Sequence, residues 1–490
     1  SYQTWSWPRR CALFLGIPLM MYMTTMHTMV MAALIAPIVD TFGHLSDYSC
    51  TTSAFLLASM GTMPLYGRLC DQWGPKRVAL LGCTVFSVAS LGCALAPSFW
   101  TLVATRALQG TGSSSMLTAG YVMYGKIFSI ERRAIVLGVL GAACALAMFT
   151  GPSIGAAIEA SFGWRWVFIQ CIPATLFSGL LVWMVPLEPD NKAGKSIDWF
   201  GGLLFLSAAI AITHSIAEIV EPNSTPRVLG FGLTGMTLLL ILYRHCRKTP
   251  GAYLALHLLS EPALIVSLLI GFLTGAVMFS FPYLTNILGQ GVLGIDARMA
   301  SSLAIPVSLA WIAASLLSGL ALTRFGLRAV LQIGTVFFLL AFLGLVWKGT
   351  VEHRSLLLTL STLTGTGLGL CLNATVYAAQ SRAPAAELGA ATSFMNLIRV
   401  LGGAWGGASV ITVQLLLYKR NLLSVAGADV FVKEPERILR KTDLAGQSPE
   451  VVEAVRGVFY DAIVSVSAFG GIACVLGLVL IYFWAPRRVT

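Results

Sequence analysis

Apolar stretches long enough to cross a bilayer recur almost from one end of this chain to the other, and that recurrence constrains the fold more than any single motif. A helix needs about 20 apolar residues to span roughly 30 Å of hydrocarbon. A transmembrane strand instead alternates lipid-facing and interior residues over about ten positions. Runs such as 78–96 and 333–347 are apolar on all sides, so their backbones must satisfy themselves as helices. Only 11% of the 490 residues are charged and 57% are hydrophobic. Soluble domains stay near half apolar with about a quarter charged. The predicted fold class is an all-α polytopic membrane protein embedded in the lipid bilayer.

Cutting the chain at charged, Pro-rich and Gly-rich breaks places fourteen spans. They lie near 13–37, 48–69, 78–96, 99–124, 134–158, 164–186, 198–220, 228–243, 261–284, 298–322, 329–347, 355–380, 389–416 and 460–485. The first run follows Arg9 and Arg10 and continues to about Pro37 without an A-x-A-like cleavage site, which predicts a retained span rather than a cleaved leader. With the N-terminus inside, the inner segments hold Arg68, Lys76, Arg77, Lys126, Arg132, Arg133, Arg244, Arg247, Lys248, Arg324 and Arg328, among others. The short outer loops hold only Arg165, Arg227, Arg298, Lys348 and Arg354. That bias predicts a multi-pass protein of the cell (inner) membrane with both termini cytoplasmic.

A long outer segment, about 417–456, is basic as well, but long loops translocate largely regardless of charge. Its "VKEPERILRK" and "SPEVVEAVRG" read as short amphipathic helices, either a solvated connector or a docking element for an accessory protein. The formal net charge of +11 does not imply nucleic acid, because no soluble basic face carries it. The ten cysteines are scattered, mostly in apolar runs and never as C-x-x-C, and read as small buried hydrophobes.

In a chain so sparing of charge, "GRLCDQWGPKR" (67–77) stands out. Its glycines permit a tight turn. Asp71 can sit at a helix N-terminus or against an arginine, and Lys76 and Arg77 can meet carboxylates or helix C-termini. Such contacts can form in one conformation and break in another. A weaker copy lies 252 residues later, "GLALTRFGLR", with Gly319, Arg324, Gly326 and Arg328 at the offsets of Gly67, Gln72, Gly74 and Lys76. The aspartate position of that copy is Thr323.

The pattern Gly67, Leu69, Asp71, Gly74, Lys76 resembles the loop after the second span in the major facilitator superfamily, with Gln72 and Pro75 where arginine is usual. Two copies imply that superfamily's two related halves. The resemblance further implies a cytoplasmic gate of Gly67, Asp71, Gly74, Lys76 and Arg77 that stabilises an outward-open state. "RALQGTGSSSM" puts Arg106 inside the fourth span, where a charge needs a partner or a wet cavity. It resembles the superfamily's fourth-span arginine, which serves proton coupling or the polar network of the pathway; a snorkelling or structural arginine is the alternative.

"GVLGAACALAMFTGPSIGAAI" resembles the fifth-span antiporter motif through Gly138, Gly151, Pro152 and Gly155, with Ala147 and Ala156 replacing two usual glycines. Small residues let helices approach closely, and Pro152 removes a backbone donor where a helix bends. "FGWRWVFI", "IDWFGGLLFL", "YLTNILGQGVLGIDARMASSLAIP" and "GAATSFMNLIRVLGGAWGGA" extend the likeness to the fourteen-span drug:proton antiporter branch over nearly the whole chain. The implied plan is a major facilitator fold with six-helix halves at 1–190 and 251–490, joined by two additional linker helices within 191–250.

That branch commonly carries an aspartate in the first span, and here "MHTMVMAALIAP" puts His27 near that position. No carboxylate sits clearly mid-membrane. Inside the spans are His27, Arg106, His214, Arg399, Asn286, Asn373, Asn396 and Gln414. The expected pathway or proton-coupling residues are His27, Asp40, Arg106, Glu159 and Arg399, with Asn286, Asn373 and Asn396 lining the substrate cavity. Asn396 and Arg399 share a helix face at i, i+3, and a structural polar pair is the plainer reading.

The implied function is secondary active export of an amphiphilic small molecule by alternating access, coupled to protons, by a monomer that needs no cofactor. The alternative is proton-coupled or facilitative uptake of a metabolite, siderophore or lipid. Enzyme chemistry is not expected, because the sequence has no nucleotide loop, metal-spaced His/Cys set or Ser-centred elbow.

Overall fold

A computed structural model describes residues 5–484, apart from 45–46, 188–196, 222–223, 250, 296–298, 301, 348–353, 426–430, 432–436 and 439–447. Among the described residues there is no strand; the chain is helical almost throughout. The helices are α1 (Trp7–Met29), α2 (Ile35–Phe42), α3 (Ser49–Trp73), α4 (Pro75–Ala94), α5 (Phe99–Ile127), α6 (Ile130–Phe162), α7 (Trp164–Ile169) and α8 (Cys171–Met184). Then come α9 (Trp199–Glu218), α10 (Thr225–Lys248), α11 (Pro262–Gly291), α12 (Ala304–Val346), α13 (Arg354–Arg382), α14 (Leu388–Leu401), α15 (Ala408–Leu422) and α16 (Pro449–Trp484).

Eleven of the helical segments are long and apolar enough to cross a membrane. Their outward faces carry Leu233, Leu317, Leu320, Phe469 and Phe483, all more than half exposed, as a surface wetted by lipid requires. Two further helices, α3 and α5, are as long but more polar, because they face the interior of the bundle with Arg106, Gln109 and a run of serines. Glycine sets the remaining break. Gly326 holds φ 81° and ψ 169° inside α12 and splits it into two helical arms, matching Gly74 at φ 86° and ψ 144° between α3 and α4. These left-handed values suit glycine, and they put the same turn at both copies of the charged signature.

Several boundaries differ from the sequence reading. The first span is interrupted by a 3₁₀ turn at Val30–Ala33 before α2. The span placed at 164–186 divides at Gln170 into α7 and α8. "SPEVVEAVRG" is no separate amphipathic helix; it forms the opening turns of α16, whose apolar repeat continues into it. Most of "VKEPERILRK" lies outside the described residues. Eight cysteines are buried, Cys11 and Cys50 only partly, and all ten are reduced.

In one helical group α1 packs on α6 and α8, α3 on α5, and α4 on α5 and α8; in the other α12 packs on α13 and α16, and α11 on α14. The groups meet through α3 against α14 and α6 against α12. The pair α9 and α10 lies to one side, against α3, with the Trp405 indole donating to Thr213 Oγ1 at 3.2 Å. Asp198 fastens that pair. It accepts from the Gly201 N–H (2.8 Å), the Tyr253 N–H (2.8 Å) and His245 Nε2 (2.9 Å). Burial works against its charge, but these donors outweigh it and hold the carboxyl below its ordinary pKa.

Candidate functional site

The charged end of the bundle is where the two helical groups close on each other. Asp71, near the end of α3, accepts from the N–H of Gly389 (2.7 Å) and of Ala390 (2.9 Å) at the start of α14. These amides have no partner within their own helix, and the helix dipole favours a carboxylate there. Glycine makes the approach possible. A Cβ on Gly67 would collide with Ser393, one on Gly389 with the Gly67 carbonyl, one on Gly138 with the Ser315 carbonyl, and one on Gly319 with Ile135. Two side chains add to the seam: Arg133 Nη1 donates to the Gln380 carbonyl at 3.2 Å, and Gln380 Nε2 donates to the Tyr121 carbonyl at 3.0 Å. Lys76 turns away from the seam to the Val185 carbonyl, 2.8 Å distant, at the C-terminal end of α8.

Arg106 is fully buried in a neutral polar cluster. Its Nη1 donates to Gln109 Oε1 at 2.5 Å, its Nη2 lies 3.5 Å from the His27 carbonyl, and its guanidinium stacks 4.3 Å from the Phe55 ring centroid. His27 faces Gln109 on one side and Cys171 on the other, between the rings of Phe86 and Phe168. The His27 ring is thus fully buried among side chains of its own helical group.

Midway along the bundle a cavity of about 100 Å³ lies between the groups, with Thr24, Thr28, Phe55, Tyr121, Trp311 and Arg399 in its lining. Toward the end away from Asp71, a cleft of about 530 Å³ separates α6 at Pro152 and Ser153 from α11 and α12 at Pro282, Asn286 and Ile305. The groups are thus tied by hydrogen bonds at the charged end, beside an opening of about 380 Å³ lined by Glu131, Thr323 and Tyr377, and parted by the wider cleft at the other. A larger recess of about 570 Å³, lined by Leu269, Phe272, Val410, Phe469 and Leu476, opens sideways between exposed apolar side chains, away from the pathway.

The structure brings together only part of the predicted set. Arg399 lines the central cavity and Arg106 lies close behind it. The three asparagines do not form the cavity. Asn373 clamps α13 to α12 through Ser318 Oγ (2.8 Å) and the Ser315 carbonyl, Asn286 pairs with Gln290 and lines the outer cleft, and Asn396 is buried with neither amide atom partnered. Asp40 is exposed on α2 and Glu159 half-buried near the end of α6, and neither lines the central cavity. Gly151 and Gly155 pack on Met26 and Val30 of the first span, while Gly138, with Gly141 one turn on, faces Ser315 of the other group.

Tyr121, Gln109, Trp311 and Gln380 escaped the sequence reading. Gln109 stands one turn beyond Arg106, a spacing that could have flagged it. A π-turn at Gly402–Gly407 also went unseen, although "GGAWGG" is poor in helix formers.

The family model described as Major Facilitator Superfamily matches residues 13–407. "Multidrug resistance protein 3" of Bacillus subtilis (strain 168) is 24% identical, aligned over 97% of this chain and 95% of its own. "Efflux pump aflT" of Aspergillus parasiticus is 26% identical over 80% of this chain and 78% of its own. Among solved structures, the proton:xylose symporter XylE superposes with a TM-score of 0.62 at 13% identity, covering 98% of this chain and 97% of its own.

Proposed function

We propose that this chain, which belongs to the Major Facilitator Superfamily, exports an amphiphilic small molecule by alternating access. Its family is made up of transporters of small molecules in membranes, not of enzymes. Export is the reading favoured by relatives named as efflux pumps and multidrug resistance proteins. The observation that carries it is the asymmetry of the seam. Asp71 holds α14 at the charged end, a cavity lies midway, and a cleft parts the opposite end.

We read α3, α5 and the two arms of α12 as spans alongside the other apolar helices, giving fourteen: six-helix halves at 1–190 and 251–490 and a linker pair within 191–250. With the charged end cytoplasmic, the state described is open to the outside, and both termini are cytoplasmic in a cell (inner) membrane. Protons drive the cycle through His27, with Asp40 and Glu159 as the alternative carriers. The protein works as a monomer, and the segment 417–456 is the place where an accessory protein would dock.

Inside-out membrane vesicles test this directly. A pH gradient, acid inside, should drive accumulation of a lipophilic substrate, and collapsing the gradient should release it. Accumulation only in right-side-out vesicles would favour uptake instead.

A further inference from the structure

We infer that the central cavity selects an amphiphile with an anionic head, received by Arg399, a reading that rests on the transporter assignment and names its substrate class. Arg399 is buried, 8% exposed, and lines the cavity with one guanidinium nitrogen, Nη1, without a partner. Two other lining groups are also orphaned there: Tyr121 Oη and Trp311 Nε1. The tyrosine hydroxyl lies beside the Arg399 guanidinium and the Cys144 thiol. An indole N–H and a guanidinium can only donate, and a hydroxyl can do so. Among the described residues no carboxylate lines the cavity.

A buried cation without a counter-charge is costly, and unmet donors add their own desolvation cost. A ligand that brings acceptor oxygens and one negative charge offsets both at once. Arg106 differs in place: its Nε is also unpartnered, but its Nη1 donates to Gln109, its guanidinium stacks on Phe55, and it lines no part of this cavity. Hydroxyls of Thr24, Thr28, Ser59 and Ser113 share the lining with an apolar wall of Phe55, Leu56, Met278 and Leu372, and that wall suits the hydrocarbon part of an amphiphile. A cationic head would meet Arg399 across a low-dielectric gap and be repelled.

Three probes on one ring system test the head group alone: naphthalenesulfonate, naphthalenesulfonamide and naphthylmethylammonium. Equilibrium dialysis on the purified full-length protein should show the sulfonate bound at least about tenfold more tightly than the ammonium, the size of one charge-assisted hydrogen bond. Arg399→Gln should abolish that preference, and Arg399→Lys, which keeps the charge, should restore much of it. Equal or tighter ammonium binding, sulfonate binding unchanged in folded Arg399→Gln, or protection by chloride alone would overturn the inference. Vesicle transport separates it from the export reading. Export of the ammonium in preference to the sulfonate sinks the charge assignment and leaves export standing, whereas inward transport of the sulfonate sinks export and leaves the charge assignment standing.

Discussion

Asp71 and Gly389, far apart in sequence, are joined by a 2.7 Å hydrogen bond from the glycine N–H to the aspartate carboxylate, and Ala390 donates to the other oxygen. A side chain of one helical group thus caps a helix of the other. Separating the groups at this end must break both bonds.

Asp71→Asn keeps one acceptor oxygen but loses the charge. The seam should weaken by about 1–3 kcal/mol, which moves a two-state equilibrium by roughly tenfold or more toward the state open at the charged end. Substrate efflux should fall while the protein remains folded in the membrane, as judged by its elution and unfolding temperature. Unchanged efflux would remove the seam from the cycle.

The antiporter-motif glycines should not be equivalent. A Cβ at Gly138 meets the Ser315 carbonyl of the opposing group, whereas one at Gly151 stops 3.3 Å from Met26 O within its own group. Gly138→Ala should therefore abolish most transport and Gly151→Ala should spare most of it. A larger group at Gly151, as in Gly151→Leu, should block cycling by forcing α6 away from α1. Equal sensitivity of the two alanine variants would contradict the packing.

What was legible in the sequence follows from distance along the chain. The spans could be read because each is set by its own hydropathy, and the turns at Gly74 and Gly326 because a local signature encodes them. The carboxylate of Asp71 invited a helix N-terminus, yet nothing local said that α14 would supply it. Asn373 and Asn396 lie off the central cavity and Asn286 lines the outer cleft, because hydropathy shows that an amide lies in the membrane, not which way its helix turns it. Tyr121 and Trp311 looked like ordinary apolar residues of their spans until their polar atoms were found unpartnered.

Asp198 ties α9 to α10 and to Tyr253, and neither helix lines the central cavity. Asp198→Ala strands the N–H groups of Gly201 and Tyr253 and frees His245, at a cost of about 2–4 kcal/mol. The unfolding midpoint in detergent should drop by several degrees while the folded fraction retains transport. Loss of transport without loss of stability would put the linker in the cycle.

His27 is the proposed proton carrier, with Asp40 and Glu159 as the alternatives. His27→Asn should remove the stimulation of efflux by a pH gradient while leaving substrate exchange without a gradient in place. If Glu159→Gln or Asp40→Asn removes that stimulation and His27→Asn does not, coupling belongs to the outer carboxylates.

Alternating access requires the two ends of the bundle to open in turn. Glu131 and Thr323 face each other across the groups at the charged end, and Ser153 and Ile305 do so at the opposite end. Spin labels at each pair, in protein reconstituted into lipid, report the two separations directly. On adding a transported substrate and lowering the pH, the account predicts that one distance lengthens as the other shortens; two distances that lengthen together, or a charged end that never parts, would contradict it.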